Sequence, residues 1–271
     1  MMFNFAQKYR YSLILLKELV ITEFKLRYQG SFLGYLWSLL KPLFLFTILY
    51  FVFVYFLKVG SNVPNWPVAM LLGIVLWNFF GEIASNGLGS IVSRGDMIRK
   101  INFPKYVIVI ASSISAFINL LLNFIIIAIF MIISGVDLHL SSLLIFWYIF
   151  QLFIFGLGLA FILSALYVKL RDMNYIWEII TQALFYGSAI IYPIAIIIEQ
   201  HATLGKLILL NPITEAIQGA RHVLIDSANP TIASLTGNGW YSLIPLSIIL
   251  VVVIFGAWYF KRQSPYFAEN I

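Results

Sequence analysis

Six stretches of this chain each run close to the ~20 apolar residues that a helix needs to cross the hydrocarbon of a bilayer. They fall at about 35–57, 67–91, 106–134, 143–168, 175–192 and 242–260 of the 271 residues. Hydrophobic residues make up 62% of the chain and charged residues 10%, where a soluble domain carries roughly a quarter charged. The expected fold is therefore all-α and membrane-integral, with six transmembrane helices. The sequence contains no cysteine, so it offers neither disulfides nor thiolate metal sites. Its net charge of +6 does not point to nucleic acid, because the cations sit beside apolar spans.

Those cations set a topology. Basic residues mark the cytoplasmic flanks of membrane spans. With the N-terminus inside, fourteen of the seventeen Lys and Arg fall on the cytoplasmic side, leaving Lys58, Lys206 and Arg221 outside. Both termini are then cytoplasmic. Residues 1–34 are apolar enough to lie against a membrane, but they carry Lys8, Arg10, Lys17, Glu18, Glu23, Lys25 and Arg27, too many charges to cross one. They read as an interfacial helix on the cytoplasmic surface. The six-span domain covers 35–262, and 263–271 form a cytoplasmic tail. The first apolar stretch is broken by Lys17 and Glu18 with no small-residue cleavage site after it, so it is not expected to be a cleaved signal.

The loop at 92–105 contains RGDMIRKINFPK, the one strongly basic island between two spans in the first half of the chain. Asp96 suits a helix N-cap, and Pro104 blocks continuation. A short helix at 97–102 would place Met97, Ile98 and Ile101 on one side and Arg99 and Lys100 on another. Two readings stand: a solvated turn whose charges fix topology, or an amphipathic helix that docks in a groove of a soluble partner.

Between the fifth and sixth spans lie the 48 residues of 193–240. Pro193 stops the fifth span, and the apolar runs at 194–198 and 204–210 can re-enter the outer leaflet. Asn211 is a good N-cap with Pro212 at the first helical position, opening a helix that reaches about Leu224 and includes Arg221. Short extracytoplasmic helices here form either a gate over a pathway or a surface loop on the headgroups.

Two spans carry polar stripes at four-residue spacing. On the second, Asn78, Glu82 and Asn86 share a face with Ser85 and Gly89. On the fifth, Glu178, Gln182 and Tyr186 do so, with Phe185 and Tyr192 nearby. An ionisable group such as Glu82 inside a span faces a cavity or a partner; the alternative is interhelical hydrogen bonding that holds the bundle. On the third span, Ser112, Ala116, Asn119 and Asn123 share a face better suited to close helix packing. Aromatics beside amides also suit sugar rings and hydroxyls.

Several motifs are absent. There is no G-x-x-x-x-G-K-[ST] phosphate loop, no H-E-x-x-H metal pair and no G-x-S-x-G elbow. Energy must come from a partner or an ion gradient. An ion-driven carrier would be expected to show two matching half-repeats with broken helices, and none is convincing.

Four segments together resemble one family. EFKLRYQGSFLGYLWSLLKPL (23–43), RKINFPKY (99–106), YVKLRDMNYIWEIITQALFYGSAIIYP (167–193) and LLNPITEAIQGAR (209–221) are similar, in order and spacing, to permease subunits of bacterial ABC exporters for O-antigen, capsule and teichoic acid. Ala189 departs from the pattern, standing where members often show a small residue followed by proline. The resemblance implies a half-channel in the bacterial inner membrane that homodimerises and pairs with two nucleotide-binding ATPase subunits, which bind ATP and Mg. No cofactor is expected in this chain. It implies export of a polyprenyl-pyrophosphate-linked polysaccharide, a transport role without catalysis, and a coupling-helix role for the loop carrying Asp96, Met97, Ile98, Arg99, Lys100, Phe103 and Pro104. A drug or small-lipid exporter of similar build is the alternative.

Overall fold

The computed structural model describes residues 2–27 and 29–271, and every regular element among them is helical. In order they are α1 (Met2–Arg27), α2 (Trp37–Leu49), α3 (Trp66–Ser93), α4 (Gly95–Lys100), α5 (Tyr106–Ile133), α6 (Ile145–Lys169), α7 (Met173–Gly187), α8 (Ile194–Gln200), α9 (Ala202–Leu209), α10 (Pro212–Leu224), α11 (Ile232–Thr236), α12 (Leu243–Gln263) and α13 (Phe267–Asn270). A π-helical stretch, Tyr50–Phe56, continues α2.

α3 is the centre of the bundle. It packs against both α5 and α6, and α6 packs in turn against α12. From Val68 to Trp77 every residue of α3 is buried. Glycine allows the closest approaches: a Cβ at Gly87 would collide with Ala160, and one at Gly256 would collide with the Gly158 carbonyl. Backbones can come this near only where side chains are small. α1 lies along α5, with Leu19 buried and Glu23 paired to Arg94 at 3.4 Å.

Among the described residues, five helical stretches are long and apolar enough to cross a membrane: Gly34–Phe56, Trp66–Ser93, Tyr106–Ile133, Leu140–Lys169 and Gly239–Asn270. The chain is an integral membrane protein. The stretch expected as one continuous helix at 175–192 is broken before its end. Helix α7 has 15 residues, or ~22 Å at 1.5 Å per residue, short of a full crossing. The chain leaves helical geometry at Ser188, and Ala189 adopts a left-handed φ of 51°. Hydropathy continues unbroken through Ile190 and Ile191, so the pattern does not register this break.

The two ends of the bundle are distinguishable. At one lie α4, the Glu23–Arg94 pair and the last residues of the chain, where the Lys105 ammonium donates to the Ser264 carbonyl. At the other, Ser142 Oγ donates to the Val223 carbonyl at 3.1 Å, and α10 packs against α3 and α6.

Candidate functional site

The polar stripe of α3 is the partly uncovered side of an otherwise buried helix. Asn78, Glu82, Asn86 and Gly89 are half-buried and Ser85 is exposed, while Phe79, Phe80, Ile83, Ala84 and Leu88 are buried. α7 stands beside this face. Only Trp177 of its fifteen residues is buried, and the Trp177 indole N–H donates to Ser85 Oγ at 3.0 Å. Trp77 and Phe185 meet edge to face at 5.6 Å.

Between the two helices is a cleft of about 580 Å³, lined by Asn78, Glu178, Gln182, Phe185 and Tyr186 together with Trp177 and Thr181. The structure thus brings five of the eight expected lining residues to one space. A second cavity of about 640 Å³, between α2, α3 and α5, takes in Glu82 and Asn86 with Lys41, Asn119 and Asn123. The two share Leu45, Trp77, Asn78, Ser85 and Thr181. Tyr192 lines neither; its hydroxyl donates to the Tyr186 carbonyl at 2.7 Å.

Glu82 accepts from Asn119 Nδ2 at 2.7 Å, and Asn123 Nδ2 donates to the Ser38 carbonyl at 3.3 Å. Glu82 therefore holds α3 to α5 and also borders the cavity, and the third-span face read as packing does both as well. The sequence reading missed Trp177 and Thr181. Both fall at helical spacing between Asn174 and Phe185, so the period that found Gln182 would have found them too.

At the α4 end the expected cap is corrected. The helix begins at Gly95, Arg94 holds the cap position with no side-chain bond, and Asp96 lies inside the first turn. An acid there still complements the helix dipole, as Arg99 and Lys100 do in the last turn. Ile98 and Phe103 point inward, 5% and 7% exposed. Met97 and Pro104 are half-buried; Asp96, Arg99, Lys100 and Ile101 are exposed. The exposed side of α4 is charged, with Ile101 beside it, while Ile98 and Phe103 anchor the loop to its own chain.

The region 193–240 is built around α10. Asn211 Oδ1 accepts from the Ile213 N–H at 3.0 Å, the expected cap, with Pro212 at the first position; its amide donates to Ser188 Oγ at 3.3 Å. Pro193 caps α8. Arg221 is fully buried, which its placement in an outer segment did not suggest. It donates to the carbonyls of Ala69 (2.8 Å), Ala189 (2.8 Å) and Ile190 (2.6 Å) and lies 4.9 Å from the Trp66 ring. One guanidinium thereby ties α10, the start of α3 and the break after α7. With its amide so oriented, Gln151 donates to Glu215 Oε2 at 2.9 Å and accepts from Trp147 Nε1 at 2.6 Å. Burial pushes the Glu215 carboxyl up to about 7.

Comparison with known proteins gives a consistent picture. The family described as "ABC-2 type transporter" matches residues 14–225. The O-antigen export system permease protein RfbA of Myxococcus xanthus is 27% identical over 264 residues, covering 95% of each chain. The protein of the same name from Klebsiella pneumoniae is 27% identical over 270 residues, covering 97% of this chain and 98% of the relative. The polysialic acid transport protein KpsM of Escherichia coli is 21% identical over 242 residues, covering 88% and 92%.

Proposed function

Because the chain belongs to the ABC-2 type transporter family, we propose that it is the membrane subunit of an ATP-driven exporter that carries a lipid-linked polysaccharide out across the bacterial inner membrane. The relatives export O-antigen or transport polysialic acid by name. The observation that carries the reading is the state of α7. It is an apolar helix with one buried residue, and it presents Glu178, Gln182 and Tyr186 to a cleft. Such a face calls for a second copy of the chain, and a homodimer would set two clefts against one another.

In this reading the chain crosses the membrane six times. α4 and the last residues of the chain meet at one end of the bundle, and α10 closes the other. α7 with 188–193 then supplies the sixth passage, and both termini are cytoplasmic. Two ATPase subunits bearing ATP and Mg dock at the exposed side of α4. A polymer moving through the α3–α7 cleft meets amides, carboxylates and ring faces in succession. Many weak contacts of this kind guide a chain, whereas one tight site would raise the barrier to leaving it. α8–α11 gate the outer mouth.

Depleting the chain tests this directly. A lipid-linked polysaccharide should accumulate inside the cell and disappear from its surface. Unchanged surface polysaccharide would refute the proposed cargo.

A further inference from the structure

Helix α4 is too short to hold its own position. It has six residues, whereas isolated helices below about 12–15 residues are marginal in water. Its inner side offers Gly95 and Ile98 as buried residues. Something else must fix where it sits.

The last eight residues of the chain do this. Beyond α12 the chain turns through Ser264–Tyr266 into α13, which packs on α4 and on α6. This segment is tied at four points. Phe267 is 1% exposed, with its ring edge-on to Phe260 at 5.2 Å. Phe260 in turn meets Phe161 of α6 at 5.0 Å. Lys105, the last residue of the loop at 92–105, donates to the Ser264 carbonyl and lies 5.8 Å from the Phe267 ring. Ile271 presses on Gly95 so closely that a Cβ there would collide with it. Glycine opens α4 because a side chain at that position would push the tail away.

We propose that residues 264–271 form a fixed clamp on α4, with Phe267 and Ile271 as positioning residues that set how α4 is presented to an ATPase subunit. This rests on the reading that α4 docks such a subunit. The clamp touches the inner side of α4, so it leaves Arg99 and Lys100 free to meet the partner. Its effect is on the transmission of nucleotide-driven motion, not on the assembly of the bundle.

The complex of this chain with its ATPase subunits, reconstituted in proteoliposomes, tests the proposal. Phe267→Ala should retain the ATPase subunits and basal ATP hydrolysis. Polymer exported per ATP should fall roughly tenfold or more, since misplacing a positioned element by about an ångström carries penalties of that order. Phe267→Leu, which refills the site, should recover most of it. Export per ATP that stays at the unmodified level, or falls only in step with folded protein, would overturn the clamp.

A second variant does not depend on the truncated side chain folding well. A Cβ at position 95 would stand 3.7 Å from Cβ of Ile271, and disulfide-bonded Cβ atoms are ~3.8 Å apart. The native chain has no cysteine, so Gly95→Cys with Ile271→Cys gives one defined bridge. It should form on oxidation and leave export intact. A pair that does not cross-link, or export that stops on oxidation and returns on reduction, would contradict a fixed clamp. Arg99→Glu with Lys100→Glu separates this proposal from its premise. If that pair leaves ATPase binding unchanged, the docking reading fails; if it abolishes binding while Phe267→Ala is silent, the clamp alone fails.

Discussion

Arg221 is the residue that joins α10 to the start of α3 and to the break after α7. A fully buried guanidinium with three carbonyl partners is satisfied by geometry that no other side chain reproduces. Arg221→Met would orphan the Ala189 and Ile190 carbonyls, each worth about 1–3 kcal/mol when left unmet. Thermal unfolding in detergent should show a loss on the order of 3 kcal/mol or more, and Arg221→Lys should restore only part of it. Unfolding at the unmodified temperature would remove its assigned role. Glu215 makes a second prediction. Its carboxyl is raised from 4.5 to about 7, so the fold favours the protonated form. No penalty exists below the unfolded value; it grows as pH rises from about 4.5 to 7 and is constant above. Stability should therefore fall as pH rises across that window, and Glu215→Gln should flatten the profile. Sequence alone gave the Asn211–Pro212 helix start, because a cap is local chemistry. It could not give the burial of Arg221, because charge counting treats any loop cation as solvated and its three acceptors come from distant segments.

At the scale of elements, α4 shows why periodicity reads a helix more readily than its orientation. Met97, Ile98 and Ile101 are an apolar set at helical spacing, but which side meets a partner depends on what the chain itself already covers. Ile98 faces inward. Ile98→Asp should then destabilise the loop, while Arg99→Glu with Lys100→Glu should leave the melting temperature unchanged and weaken co-purification of the ATPase subunits. The opposite pattern would return docking to the apolar side. The α3 stripe was legible because burial and polarity alternate together along one long helix. The end of α7 was not, since Ser188–Tyr192 continues the apolar run while Ala189 takes a left-handed φ that hydropathy does not register.

At the scale of the whole molecule, the proposed six passages and cytoplasmic termini make a labelling prediction. The native chain has no cysteine, and positions 93, 141, 234 and 268 are exposed. Cysteines replacing Ser141 and Ser234 should react with an impermeant reagent in intact cells. Those replacing Ser93 and Ala268 should react only after the membrane is opened. Labelling of Ala268→Cys from outside would overturn the six-passage path. The central claim is that the space between α3 and α7 carries the polymer. Asn78 borders both cavities, so Asn78→Trp fills their junction. A barrier raised by only ~1.4 kcal/mol slows passage about tenfold, and an indole in a guiding cleft exceeds that. The direct measurement is polymer export by reconstituted complexes carrying Asn78→Trp, taken together with their ATPase rate and melting temperature. Export should fall at least about tenfold with hydrolysis and stability retained; export at the unmodified rate in a folded, ATP-hydrolysing complex would place the pathway elsewhere.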